Sequence, residues 1–212
     1  MRIKDKGMTV SISIVDYGVG NIKSVASAFK ACGADVILTA DHEEINKSDI
    51  LVLPGVGSFV SGITNLRQKN LENIIRSHAS RGKTVIGICL GMQLLMDSSE
   101  EFEGEQGLGL IEGVVKKIKT PNKVPIPHIG WETTTFTDRE MDNSFNVDYF
   151  FCHSFSAHPV RSEDVLATCE YGGTSLCAAV KRGNVIGFQF HPEKSSTTGL
   201  SLIKHLINTV IP

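Results

Sequence analysis

The stretch Val85-Ile-Gly-Ile-Cys89-Leu-Gly-Met-Gln-Leu-Leu95 constrains the fold more than any other part of the chain. Thr84–Ile88 is a short, apolar, β-branched run and reads as a buried strand. Met92–Met96 has helix-forming composition. A strand passing directly into a helix must turn sharply. Gly87 and Gly91, two residues to either side of Cys89, let backbone segments approach where a Cβ would intervene. This is the pattern of a nucleophile elbow, which holds its central side chain up and exposed. The turn also puts Cys89 at a helix N-terminus, whose partial positive charge favours a thiolate. A lone cysteine is more often a small buried hydrophobe. The paired glycines and the switch from strand to helix make this one a nucleophile.

A thiol nucleophile needs a base. Val185–Phe190 reads as a second strand, His191 stands at its end, and Glu193 follows across Pro192. A histidine oriented by a carboxylate is the usual partner of a cysteine or serine nucleophile. Taken alone, His-Pro-Glu would be an ordinary strand-ending turn; with the elbow present, His191 and Glu193 complete a triad. Amide hydrolysis also requires N–H donors aimed at a developing oxyanion. Leu90 N–H, at the start of the elbow helix, is one. The loop Pro54-Gly-Val-Gly57 follows a strand and can supply another, with glycine on either side of Val56 leaving that peptide free to rotate. Gln93 lies one helical turn beyond Cys89, within reach of the same pocket.

Together, Gly87-Ile-Cys89-Leu-Gly91-Met-Gln93 and His191-Pro-Glu193 resemble the class I, or triad, glutamine amidotransferases. Four further stretches bring the chain close to one subfamily, the glutaminase subunits of imidazole glycerol phosphate synthase. They are Asp16-Tyr-Gly-Val-Gly-Asn21, Pro54-Gly-Val-Gly-Ser-Phe59, Pro127-His-Ile-Gly-Trp131 and His191-Pro-Glu-Lys-Ser-Ser196. The resemblance implies a glutaminase that works through a Cys89 thioester. It implies Val56 as the second oxyanion donor, and it puts Gly57, Gln93, His153, Ser154 and Phe155 against the substrate L-glutamine. It assigns the loop ending at Asn21 to a subunit interface; Lys194, which directly follows His-Pro-Glu, is with that loop the candidate for relaying the partner's state. The partner it implies is a (β/α)8-barrel cyclase, forming a heterodimer that receives the ammonia; no metal or organic cofactor is implied. The chain departs from the family pattern at Phe150 and Phe155, where tyrosine is common, and at Glu132, where asparagine is usual. These departures leave a paralogue serving another synthase, such as one amidating a surface-polysaccharide sugar, as the alternative. A cysteine peptidase or chaperone-like relative would often place histidine directly after the cysteine, where this chain has Leu90. A flavodoxin-like binding module fits less well, because Gly18-x-Gly20 lacks the third glycine of a dinucleotide fingerprint.

The chain has 212 residues, which suits one α/β domain. Residues 1–7 read as a frayed extension and residues 8–212 as one glutamine amidotransferase domain. The formal net charge of −2 gives no reason to expect nucleic acid. No apolar run reaches the roughly 20 residues that span a membrane. The cysteines, Cys32, Cys89, Cys152, Cys169 and Cys177, are odd in number without metal-type pairs and read as free thiols, for which a reducing cytoplasm is the expected location. The βαβ order of elements predicts an α/β fold, and the resemblance implies its flavodoxin-like class I glutamine amidotransferase form. It has a largely parallel central sheet, helices on both faces, and additional antiparallel strands in the C-terminal half. Ser98–Gly107 is polar and acidic and reads as a solvated loop. His42, His78, His158 and His205 read as surface residues, and His128 as structural or interfacial.

Overall fold

The structure, a computed structural model, describes residues 9–102, 104–137, 141 and 143–209. The expected extension over residues 1–7 lies outside the described residues. The first half alternates strand and helix: β1 (Ser11–Val15), α1 (Ile22–Ala31), β2 (Asp35–Thr39), α2 (His42–Lys47), β3 (Ile50–Leu53), α3 (Phe59–Gln68), α4 (Leu71–Ser80), β4 (Thr84–Ile88) and α5 (Leu90–Leu94). Strands then dominate: β5 (Met96–Ser99), β6 (Glu105–Gln106), β7 (Ile111–Lys117), β8 (His128–Phe136), β9 (Asp148–His153), β10 (Phe155–Pro159), β11 (Val165–Tyr171), β12 (Thr174–Arg182) and β13 (Val185–Phe188). Helix α6 (Ser196–Thr209) closes the fold.

The central sheet has nine strands in the order β2-β1-β3-β4-β13-β12-β11-β8-β9. β2, β1, β3, β4 and β13 run parallel. β12, β11, β8 and β9 extend it by antiparallel pairing. β3, β4 and β13 are buried at every residue because both faces are covered, whereas the edge strand β2 exposes Asp35, Ile37 and Leu38. In β3, Ile50 and Val52 face one core while Leu51 and Leu53 face the other. The first core takes Val25 and Phe29 from α1 and Leu202 and Ile203 from α6. The second takes Phe59 and Ile63 from α3, Ile74 and Ile75 from α4, and Ile111 and Val115 from β7. The α/β architecture expected from the sequence is therefore present. β4 and β13 lie side by side at its centre, with Gly87 opposite Gly187.

Several local expectations need correction. The segment read as a solvated loop holds the end of β5 and all of β6, part of a separate sheet in the order β10-β7-β5-β6. Its polar sequence hides a strand because the pairing partner, β7, comes from elsewhere in the chain. The elbow helix begins at Leu90 as expected but ends at Leu94, short of the helix-forming run to Met96, which already belongs to β5. His78 is not on the surface: it sits on the apolar face of α4 with Ile74 and Ile75 and is fully buried. Burial, then the charges of Lys83 and Arg81, lower its pKa to about 4. Helix α2 was not anticipated, although Asp41 accepts hydrogen bonds from Glu43 and Glu44 N–H as an N-cap.

Candidate active site

The C-terminal ends of β4 and β13 bring together the residues separated most widely in the sequence. Cys89 leaves β4 with φ 54° and ψ −110°, a conformation rarely open to a residue with a Cβ. The surroundings hold it there. A Cβ on Gly91 would lie 1.8 Å from Leu53 O, and one on Gly87 would lie 2.7 Å from the Gly91 carbonyl carbon. Those two glycines are needed because β3, β4 and α5 converge at the elbow. Cys89 N–H donates to Phe188 O at 2.7 Å, pinning the elbow to β13, and Gln93 N–H returns to Cys89 O at 3.2 Å.

His191 follows β13, and its N–H donates to Phe150 O at 2.9 Å. Its Nδ1–H faces Glu193 Oε1 at 2.8 Å, which turns Nε2 toward the sulfur. Burial alone would disfavour the charged ring. Hydrogen bonds to Cys89 and Glu193 outweigh it and raise the His191 pKa to about 9. The imidazole is thus held protonated beside the sulfur at neutral pH. The turn carrying both groups is clamped by Ser195, whose hydroxyl donates to His191 O at 2.6 Å and accepts from Phe150 N–H at 3.0 Å.

A cavity of about 300 Å³ opens over this pair. Val56, Gly57, Leu90, Gln93, Lys194 and the run His153–Phe155 line it, together with Cys89 and His191. Cys152 and Pro127 line it as well, as does Glu101, to which sequence reasoning gave no role. A larger apolar groove of about 540 Å³ lies beside the N-terminal ends of β4 and β13 and has neither cysteine nor serine among its lining residues. Asn21 is not in the cavity. It is exposed at the start of α1, without a side-chain capping bond. Its loop nevertheless touches the site, because a Cβ on Gly20 would come 3.4 Å from Gly55 Cα. Lys194 Nζ stands 5.8 Å from the centre of the Phe150 ring.

Loop freedom around Val56 is less symmetric than the sequence suggests. A Cβ at Gly57 (φ 107°) would meet nothing within 4 Å, whereas one at Gly55 would lie 2.6 Å from the Tyr17 hydroxyl and 2.8 Å from Leu90 Cβ. Tyr17 is fully buried and donates to Pro54 O, tying the first βα loop to this one. Burial of its hydroxyl, followed by the nearby Cys89 sulfur, raises its pKa far above the usual phenol value. The open side of the loop is therefore at Gly57.

Behind the cavity, His153 Nδ1–H donates to Phe155 O at 2.8 Å. In a neutral ring Nε2 then carries a lone pair, and it accepts from His128 Nδ1–H at 3.0 Å. Burial pushes both pKa values down to about 4, which keeps both rings neutral and fixes this sequence of donors. His128 is a core residue, stacked on Phe151 and Tyr171, and Glu132 Oε1 lies 3.8 Å from its Nε2. Among the described residues no cluster of His, Cys, Asp and Glu could hold a metal ion, and all five cysteines are free.

The model of the family described as glutamine amidotransferase class-I matches residues 13–208. The chain belongs to that family. Among curated class-I amidotransferases, it is 40% identical to the imidazole glycerol phosphate synthase subunit HisH of Lactococcus lactis subsp. lactis, covering 94% of this chain and 98% of that one. It is 42% identical to imidazole glycerol phosphate synthase subunit HisH 1 of Legionella pneumophila, covering 93% and 98%. The fold matches the solved structure of PurLQS from Thermotoga maritima with a TM-score of 0.73 at 21% identity, over 96% of this chain and 98% of that one. A crystal structure of a glutamine amidotransferase matches with a TM-score of 0.72 at 19% identity, over 93% and 99%.

Proposed function

We propose that this class-I amidotransferase is the glutaminase subunit of imidazole glycerol phosphate synthase. It hydrolyses L-glutamine to glutamate and passes the ammonia to a cyclase subunit in histidine biosynthesis. The observation that carries the reading is the hydrogen bond of His191 to Cys89, backed by the Glu193 carboxylate, in a chain about 40% identical over nearly its whole length to subunits of that synthase. The Cys89 thiolate attacks the side-chain carbonyl carbon of glutamine, and the oxygen becomes an oxyanion held by Leu90 and Val56 N–H. The His191 imidazolium gives its proton to the departing nitrogen, which leaves as ammonia. The neutral ring then takes a proton from water as that water attacks the thioester. Collapse expels the thiolate, releases glutamate and restores the imidazolium. Gln93, Gly57 and the run His153–Phe155 hold the amino-acid end of the substrate.

The partner is a (β/α)8-barrel cyclase forming a heterodimer, and Asn21 and Lys194 report its state to the loop carrying Val56. Residues 8–212 act as one domain. The location is cytoplasmic; among the described residues no helix is long and apolar enough to cross a membrane. Neither nucleic acid nor membrane takes part. A paralogue feeding a sugar-amidating synthase is not favoured, because both curated relatives named above, at 40% and 42% identity, carry the imidazole glycerol phosphate synthase name. The test is steady-state glutamate release by the chain mixed with a histidine-pathway cyclase and its ribonucleotide ligand. Glutamine-dependent cyclisation is expected, and failure to bind or serve that cyclase would overturn the reading.

A further inference from the structure

We propose that Gln189 is a positioning residue for the nucleophile: its buried side-chain amide donates to the Cys89 sulfur and stabilises the thiolate. The inference rests on Cys89 being the nucleophile. Gln189 is fully buried within the otherwise apolar run Gly187-Phe-Gln-Phe190, where a methionine would fill similar space. A buried amide is tolerated only when its donors and acceptor are used. Here both ends are used, and the way round follows from one backbone atom. Phe155 O is a carbonyl and only accepts, so the Gln93 end facing it at 3.0 Å is the nitrogen. That same nitrogen lies 3.0 Å from the Gln189 side chain, which must therefore present its oxygen. The Gln189 nitrogen is left pointing at Cys89 Sγ, 3.8 Å away.

Sulfur becomes a stronger acceptor when it carries charge, so this donor favours the ionised form. Gln189 and His191 lie two residues apart, so one segment supplies both side chains that donate to the sulfur. Because Gln93 lines the cavity, the chain Phe155 O–Gln93–Gln189–Cys89 also connects the pocket wall to the nucleophile. Other ionisable groups near the sulfur are His191 with Glu193 behind it and Tyr17 from the first βα loop, while Glu101, Cys152, His153 and Lys194 line the same cavity. The substitutions below leave all of them in place.

The test is the pH dependence of Cys89 alkylation by iodoacetamide in the full chain, with the modified cysteine located by peptide mass spectrometry. Gln189→Met removes the donor at nearly constant volume. Its alkylation midpoint is expected to rise by about one pH unit, a tenfold loss of thiolate below the midpoint. With the cyclase present, kcat should fall about as far while KM changes less. Gln189→Glu keeps the shape and the acceptor for Gln93 but sets an oxygen against the sulfur, so its midpoint should rise at least as much; it decides the matter if the methionine variant does not fold. A lower thermal unfolding midpoint with an unchanged alkylation midpoint would mean that Gln189 only packs, and would overturn the inference. Glutaminase activity surviving in Cys89→Ala would instead remove the active-site reading, and this inference with it.

Discussion

Replacing Gly55 with alanine tests how the loop carrying Val56 is held. The added methyl would lie 2.6 Å from the Tyr17 hydroxyl oxygen, 2.8 Å from Leu90 Cβ and 3.1 Å from Gly91 N. The first is at least about 0.8 Å short of an ordinary van der Waals contact. All three neighbours are buried or belong to the elbow, so the mobile partner is the loop, which must move outward by nearly 1 Å. That displacement takes Val56 N–H, the proposed second oxyanion donor, away from the position it would hold. A donor lost from an oxyanion hole costs about 10²–10³ in turnover, and a shift of about 1 Å in catalytic geometry can cost about 10². Gly55→Ala should therefore lower kcat by about a hundredfold or more and destabilise the fold by about 1–3 kcal/mol through overpacking. Iodoacetamide labelling of Cys89 should survive, since the thiol itself is untouched. The companion Tyr17→Phe removes the nearest obstructing atom along with the hydrogen bond to Pro54 O. The double variant should lose less activity than the two single losses combined, with the Leu90 contact preventing full recovery. The assay is steady-state glutamate release in the presence of cyclase and its ligand, with thermal unfolding in parallel. Near wild-type turnover in Gly55→Ala would refute the claim that Gly55 is the fixed side of this loop.

Cys89→Ala should abolish glutamine hydrolysis while the partner complex still works with ammonium salts; glutamate release near the wild-type rate would remove Cys89 from its role. His191→Ala should cost at least about 10²–10⁴ in turnover and Glu193→Gln less, because the carboxylate orients the ring without moving the proton; single-turnover rates giving the reverse order would overturn the assignment of base and orienter. The His191 pKa is raised from 6.5 to about 9, so its stabilising contribution is complete below about pH 6.5 and is lost as pH rises through about 9. The gap in melting temperature between wild type and Glu193→Gln should accordingly narrow between those limits, and a gap that widens with pH would contradict it. Lys194→Ala should reduce stimulation by the cyclase, expected to be at least about a hundredfold, more than it weakens glutamine binding; full activity of the isolated chain would end the gating idea but leave the triad standing.

Local patterns in the sequence identify the elements that come from contiguous residues with a strong period. The apolar runs at Ile50–Leu53 and Thr84–Ile88 are strands, and Ile22–Ala31 is a helix with an apolar face, as their residues alone require. The elbow is legible because the glycine spacing and the strand-to-helix switch fall within one short stretch. His78 marks a limit of composition: its polarity suggests solvent, while its spacing from Ile74 puts it on the buried face. Strands β5 and β6 mark another, since polar residues become a sheet only when β7 arrives to pair with them. Within the site, the residue types of a cysteine, a histidine and a carboxylate were readable; their meeting depends on β4 and β13 lying in parallel register, 100 residues apart in the chain. The orientation of the amides of Gln93 and Gln189 was not readable at all. It is fixed by the carbonyl oxygen of Phe155, which the turn after β9 brings into the pocket wall. Sequence determined which groups were available and which backbone turns were possible. Only the tertiary structure decided which donors face which acceptors, because hydrogen-bond direction is set across elements that share no sequence neighbourhood.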